Sequence, residues 1–422
     1  MNTLQAVQIY ADSGLGCLQN QGPFLEIANT KFDNFQNMGG QLGTTVTFDL
    51  PVRFVDQGTL SVVTFEDVSQ RKQSLTVGSQ YSIPYAFTAE ELVFNIDNND
   101  YRDKLVNSSI NELGTSVEST IAAVIPPNTY RYYGDPSILN PTGQLISTFG
   151  SLINAGAYFK NFGSAKFSYK AVLDDLFAAQ IVNSGLSQFV PKRNDELSNS
   201  WELGTYGGFE FYSSNLLTTQ FAGTIGQDNG TPAGVLTLVS VDPTGTILTF
   251  SSSDLSDANA IAANDIIYFL DNIPTFTNLR YLTFTGHKVS SNHVSVVSIA
   301  QVGSDGAGTI VATVFPALIF DNTNTNPAAN LNTPLVAGMQ AQVLNSHRCG
   351  LMMSGDPLYV AMPPLPNKDP YPSHVAKDPD TGISLLAAYG NIFPTNQYGF
   401  TVQAQSGQTL VPDYSMRLVF PM

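Results

Sequence analysis

The stretch NDYRDKLVNSSINELGTSVESTIAAVIPP, residues 99–127, limits what this chain can fold into more than any other part of it. Tyr101, Leu105, Ile110, Leu113, Val117, Ile121 and Val124 recur at spacings of three to five, which keeps one helix face apolar over about seven turns. Asp100 or a neighbouring Asn supplies an N-cap, and Pro126-Pro127 stop the helix. Gly114 costs the helix ~1 kcal/mol relative to Ala, so tertiary packing has to hold it. A helix this long, polar on its outer side, needs a broad surface to lie on.

The flanking sequence supplies strands. TTVTFDLPVRFV and QSLTVGSQYSIPYAF, either side of the helix-free stretch 56–72, combine β-branched and aromatic residues in near alternation. They read as two long strands that project a loop carrying Glu66, Asp67, Arg71 and Lys72, a cluster of charge in a charge-poor chain. Residues 1–43 are rich in Asn, Gln and Gly with weak periodicity and read as an extended arm. Two further helices are expected. One starts at Asn140-Pro141, with Leu145, Phe149, Leu152, Ile153 and Gly156 on one face. The other runs from Ser168 to Gly185, with Leu173, Leu176, Phe177 and Gln180 together.

Beyond Gly207-Gly208 the periodicity changes from helix to strand. GFEFYSSNLLTT is strand-like, and GVLTLVSV, TILTFSS, NDIIYFL, RYLTFTG, HVSVVSIAQV and GTIVATVFPAL follow within about a hundred residues. Asp242-Pro243-Thr244-Gly245 is a type I turn between the first two. Six short strands at this density mean a small barrel or sandwich. Polar sequence on both sides marks it as an insertion over 221–335. The remainder, 336–422, returns to α+β character: DPLYVAMPPLP and SMRLVFP read as strands, the second with Met416, Leu418 and Phe420 on one side, and the Pro/Asp-rich stretch between them as a loop.

Charge and chemistry narrow the function classes. Charged residues make up 12% of the 422, about half the ordinary share, which suits a surface largely covered by neighbouring subunits. The net charge of −16, with no run of Lys or Arg, argues against a nucleic-acid grip or a polybasic membrane patch. Neither a secretory signal nor a membrane span is expected, and the two cysteines, Cys17 and Cys349, suit a reducing compartment. There is no Walker A loop, nucleophile elbow or HExxH, so no catalytic residue, cofactor or metal site is expected. GSDGAGT joins strands instead of opening a helix, DPDTG lacks the closing Glu of a calcium loop, and Asp174-Asp175 read as a surface pair on a helix. His347 and Cys349 would share a strand face but lack further ligands nearby. His287 and His293 bracket a turn-forming SSN, and a loop decoration outweighs a metal pair.

Taken in order, these pieces resemble the major capsid proteins of tailed bacteriophages, the Hong Kong 97-type fold, and within it the short-tailed phage coat proteins with an inserted β-barrel. TTVTFDLPV and QSLTVGSQYSIPYAFTAEEL are similar to the arms of that family's extended loop, and residues 99–124 to its spine helix. Gly208, Phe209, Glu210 and Ser213 or Ser214 resemble the strand before its insertion. NDIIYFL resembles a barrel strand in which Asn264 replaces a Gly, and HVSVVSIAQVGSDGAGTIVATVFPAL the hairpin that ends the barrel.

The resemblance implies an α+β fold with an N-terminal arm at 1–43, an extended β-hairpin loop at 44–88 and a peripheral domain with the spine helix and the start of an axial domain at 89–220. The inserted barrel at 221–335 and a return to the axial and peripheral domains at 336–422 complete it. It implies a virion protein assembled in the host cytoplasm. Pentamers and hexamers of the one chain would form an icosahedral shell around double-stranded DNA that is enclosed without specific binding. A scaffolding protein and a portal would assist, and a decoration protein could bind. Glu66, Asp67, Arg71, Lys72, His287 and His293 become subunit-contact candidates, the histidines flanking an exposed barrel loop at 286–293. Lys72 lies near the position at which some relatives form a Lys–Asn isopeptide cross-link, but members with the inserted barrel do without it, and none is expected here. A phage tail tube or baseplate protein would explain the Asn/Gly/Thr-rich strands but not the long helix. A β-rich adhesin fits poorly with a single Trp, Trp201.

Overall fold

The computed structural model describes residues 3–19, 22–30, 42–54, 70–88, 99–134, 146, 148–163, 168–185, 202–206, 208–226, 235–251, 260–270, 279–304, 308–322, 326–366, 372–378, 381–392 and 397–422. The expectations for Glu66, Asp67, Asn140, Pro141 and Leu145 fall outside these residues. The chain divides into two units, the first made of Met1–Phe48, Lys72–Val124 and Leu358–Leu410, the second of Asp49–Arg71, Ile125–Pro357 and Val411–Met422.

The first unit is built on a six-stranded sheet in the order Thr45–Leu50, Arg71–Thr88, Gln397–Leu410, Ser384–Ile392, Ser373–Lys377, with Leu358–Ala361 also paired to Gln397–Leu410. Strand Arg71–Thr88 runs antiparallel to Gln397–Leu410 from Val77 to Thr88. The expected long helix is present as Asn99–Ala122, and its apolar stripe is buried at Ile110, Leu113, Val117 and Ile121. Its outer side satisfies itself: Thr115, Ser116 and Thr120 hydroxyls donate to the carbonyls of Asn111, Glu112 and Ser116 one turn back. Gln408 Nε2 donates to Thr120 O and ties the helix to strand Gln397–Leu410.

Residues 1–43 are not an extended arm throughout, because Thr3–Gln19 and Pro23–Ile27 are helices. Val7, Ala11, Gly14 and Leu18 are buried at spacings of four, three and four, a helix stripe that two small residues hide from a hydrophobicity pattern. The stripe packs close: a Cβ on Gly14 would stand 2.6 Å from Ile110 Cδ1 and 2.9 Å from Leu385 Cδ2. The Pro/Asp-rich stretch before residue 383 holds a strand too, Ser373–Lys377, paired with Ser384–Ile392 across the turn at Asp378, whose Oδ2 accepts from Thr381 Oγ1 at 2.5 Å.

The second unit combines a seven-stranded mixed sheet with a closed barrel. The sheet order is Tyr132–Tyr133, Ser415–Phe420, His347–Ser354, Tyr169–Asp174, Phe209–Ser214, Glu202–Tyr206, with Thr219–Gln220 alongside His347–Ser354. All six residues of Ser415–Phe420 are buried, so the expected one-sided strand is covered on both faces. The expected helix from Ser168 splits into strand Tyr169–Asp174 and helix Asp175–Gly185. Ala171, Val172 and Leu173 are buried between two partner strands, a demand that overrides helical spacing, and Leu176 is left 70% exposed. Helix Phe149–Asn161 begins at Thr148, whose Oγ1 accepts from Ser151 N while Ser151 Oγ accepts from Thr148 N. Phe149, Leu152 and Gly156 face inward as expected, but Ile153 is exposed.

The barrel order is Ile266–Phe269, Ser295–Ser304, Thr309–Phe315, Ile247–Ser251, Leu236–Val241, Gln340–Val343, closing on Ile266–Phe269. Thr309–Phe315 alternates strictly, with Ile310, Ala312 and Val314 inward, as a barrel wall requires. The closing strand Gln340–Val343 lies beyond residue 335. Arg280–Leu282 is not a barrel strand; it pairs with Val289–His293 as a separate two-stranded sheet.

Candidate functional site

The chemistry-bearing side chains of the second unit meet where the barrel sits on the mixed sheet. Strand Ser415–Phe420 carries Arg417 into this junction with no exposed surface. Its Nε donates to Thr129 Oγ1 at 3.1 Å, Nη2 donates to Pro126 O, and Nη1 donates to Asn264 O at 3.4 Å and to His347 Nε2 at 3.2 Å. A guanidinium only donates, so His347 must accept on Nε2 and carry its proton on Nδ1, which donates to Asn345 O at 2.6 Å. Burial, reinforced by the Arg417 charge, pushes His347 down to about 3, so its ring is neutral.

Asp265 faces the same junction from the turn before Ile266–Phe269. Its Oδ2 accepts from Gly223 N at 2.9 Å and Ala262 N at 2.7 Å, and its Oδ1 from Gln220 Nε2 at 3.0 Å. Burial raises it to about 6 against the pull of those three donors. Asn264, at φ 68°, turns the backbone so that its carbonyl reaches Arg417. On the far side of the same strand Arg131 is buried, with Nη2 donating to Asp413 O and Ser415 O, each at 2.9 Å, and its guanidinium 3.9 Å above the Phe162 ring. Ser295 Oγ donates to Tyr130 O at 2.7 Å, and His293 N to Tyr158 Oη at 2.9 Å. These bonds fasten the barrel and the two-stranded sheet to the sheet-side framework.

This arrangement holds the barrel to the mixed sheet. Cys349 is buried and its thiol is pushed up by that burial, which suppresses the nucleophilic thiolate. Among the described residues no group of three or more His, Cys, Asp or Glu could hold a metal ion. No described helix is long and apolar enough to cross a membrane.

The contact candidates divide. Lys72 is exposed at the start of strand Arg71–Thr88. Arg71 is held within its own chain, Nη2 lying 2.5 Å from Asp413 Oδ2. His293 is half-buried, and His287 is buried at φ 48°, so the expectation of exposed histidines fails for it. The expected exposed loop 286–293 is a loop only as far as Lys288, because Val289–His293 is a strand in which Ser290 and Asn292 are buried and Val289 is 61% exposed. Asp174 is not a surface residue; it is buried at the end of its strand, forms an ion pair with Arg348 and caps the next helix through Leu176 N at 3.0 Å. The sequence held no signal for the Arg417 junction, because its partners are two main-chain carbonyls, a Thr hydroxyl and a His ring brought together from distant segments. RxH-type spacing cannot encode that.

No protein-family model matches this chain, and no curated protein matches it in sequence. By structure it is similar to the capsid of Ralstonia phage GP4, at 10% identity over 95% of this chain and 91% of that one, with a TM-score of 0.46. It is similar to a structure from Mycobacterium phage Che8, at 8% identity, 94% and 91% coverage and a TM-score of 0.41. It is also similar to the acid-stable capsid of Helicobacter pylori bacteriophage KHP30, at 11% identity, 95% and 91% coverage and a TM-score of 0.38.

Proposed function

We propose that this chain is the major capsid protein of a tailed bacteriophage, copies of which form the pentamers and hexamers of an icosahedral head shell around double-stranded DNA. The order of elements carries this reading, and the low-scoring similarity to phage capsids does not. A pair of strands, Thr45–Leu50 and Arg71–Thr88, precedes the long helix Asn99–Ala122; a mixed sheet follows and is interrupted after Thr219–Gln220 by a closed barrel before the chain returns at His347–Ser354. That is the sequence of parts the family resemblance implies.

The physical chemistry agrees with it. None of the six barrel strands contains Asp, Glu, Lys or Arg, so their outer wall can be covered by another subunit without burying an unpaired charge. The net charge of −16 disfavours tight binding to enclosed DNA. The buried polar junction holds the barrel to the mixed sheet. Glu66, Asp67, Arg71, Lys72, His287 and His293 are the contact positions of the sequence reading, of which Lys72 is exposed, and the exposed Val289 is a further position beside the histidines. A scaffolding protein, a portal and a decoration protein are the partners such a shell would use, in a virion assembled in the host cytoplasm.

Co-expression of the full chain with the scaffold gene of its own genome, followed by electron microscopy, is the test. Closed shells are expected. Tubes or stacked rings would instead place the chain in a tail, and a stable monomer would remove the assembly reading.

A further inference from the structure

Three of the chain's eight arginines, Arg53, Arg71 and Arg131, converge on the turn Pro412–Tyr414 that precedes strand Ser415–Phe420. Asp413 in that turn is the carboxylate they face. Its Oδ2 lies 2.5 Å from Arg71 Nη2, and its Oδ1 accepts from Tyr130 Oη at 3.4 Å. Arg131 stays 1% exposed behind the turn and spends Nη2 on the carbonyls of Asp413 and Ser415. Three guanidiniums facing one carboxylate leave an excess of two positive charges, in a chain whose net charge is −16.

Arg53 is the member without a bond. Its guanidinium lies 4.3 Å over the Phe284 ring, and Phe284 packs on Tyr414, next to Asp413, with ring centroids 5.5 Å apart. Burial pulls the Arg53 pKa down, Asp413 and Tyr130 hold it up, and Arg71 pushes it down, so these groups act on one another at short range. Among the described residues nothing hydrogen-bonds or ion-pairs with the Arg53 side chain, and its Nε is buried without a partner. Asp413 has both oxygens engaged already. A guanidinium over an aromatic ring keeps its in-plane fork of donors for a bidentate acceptor. That fork is reachable: Arg53 is half-buried, and the Arg71 side chain is 35% exposed.

We propose that Arg53 and Arg71 form a binding site for an oxyanion, a phosphate or carboxylate group gripped by the Arg53 fork, with Arg131 adding positive charge from behind. The ligand would supply the acceptor oxygens that Arg53 lacks and offset the excess charge at the turn. Its source is either a free anion or an acidic side chain of a second copy. Only the second source rests on the capsid reading.

Isothermal titration calorimetry of the full-length chain with inorganic phosphate, at neutral pH and a concentration where the chain is monomeric, tests the site. Saturable binding is expected with phosphate and not with chloride at equal ionic strength. Arg53→Met and Arg71→Met should each weaken it about tenfold or more, the worth of one charge-assisted hydrogen bond. Arg53→Lys keeps the charge and loses the fork, and should weaken it by a similar factor; it remains informative if Arg53→Met does not fold. Asp413→Asn removes a competing carboxylate and should tighten binding, an effect that a purely structural cluster would not show. Lys377→Met, on a strand of the other unit, should change nothing. Sedimentation velocity at higher concentration separates the sources. Oligomers that phosphate dissociates beyond the chloride control assign the occupant to a second copy, and an unchanged state assigns it to a free anion. A monomer that binds phosphate keeps the site and removes only the assembly reading. No saturable heat with phosphate, equal binding of chloride, wild-type affinity in Arg53→Lys, or weaker binding in a folded Asp413→Asn would each overturn the site.

Discussion

Arg417 and His347 form a donor–acceptor pair that works only while the histidine stays neutral. The folded state depresses His347 from 6.5 to about 3, so its contribution is present above pH 6.5 and is lost as pH falls towards 3. The loss amounts to roughly 5 kcal/mol across that window. Urea unfolding at a series of pH values should show stability declining below neutral, with a shallower decline in His347→Gln. An identical slope in the variant would remove His347 from the account. Arg417→Met strands acceptors at Pro126, Asn264 and His347 and should cost about 3–5 kcal/mol, the range for breaking a buried charged network by removing one member. A cost below about 1 kcal/mol would mean that water replaces the guanidinium.

At the scale of elements, two glycines of helix Thr3–Gln19 give opposite predictions. Gly16 has nothing within 4 Å of an added Cβ, so Gly16→Ala should stabilise by about 0.5–1 kcal/mol through helix propensity. Gly14→Ala gains the same propensity but drives a methyl to 2.6 Å from Ile110 and should destabilise by about 1–2 kcal/mol net. Thermal melts of the two variants should move in opposite directions, and a rise for both would show that the helix is not seated on Ile110 and Leu385. Thr148→Ala removes the cap of helix Phe149–Asn161 and should cost about 1 kcal/mol. The elements whose own pattern matched their environment were legible in advance: the buried stripe Ile110, Leu113, Val117, Ile121 and the Asp242–Gly245 turn, where Gly245 N donates to Asp242 O at 2.8 Å. Helix Thr3–Gln19 was not, because its stripe contains Ala11 and Gly14. Strand Tyr169–Asp174 was not, because Leu173, Leu176 and Phe177 are spaced like a helix face.

For the whole molecule, charge would set the conditions of the proposed shell assembly. Each copy carries −16, and the barrel strands carry no charge to form ion pairs with a neighbour. Salt should therefore favour association by screening like-charge repulsion, with light-scattering assembly rates rising between about 0.01 M and about 0.15 M salt. Assembly that weakens as salt is added would mean that ion pairs such as those available to Lys72 hold the contacts. The junction around Arg417 was illegible at this scale too: Pro126, Asn264, His347 and Arg417 are distant along the chain, and three of the four bonds use atoms every residue type possesses or a ring with no motif around it.

The sequence by itself determined the long helix, the strand-rich insertion, the turn at Asp242 and the poverty of charge, because periodicity, turn chemistry and composition are local or additive. It also determined the order of parts on which the capsid reading rests. Only the tertiary structure decided that Gln340–Val343 closes the barrel, that Arg280–Leu282 leaves it, that Asp174 is buried and that Arg53, Arg71 and Arg131 meet at Asp413. Each of those outcomes depends on which distant backbone or carboxylate arrives beside a residue, and pairing energy of that kind leaves no trace in the spacing of neighbours along the chain.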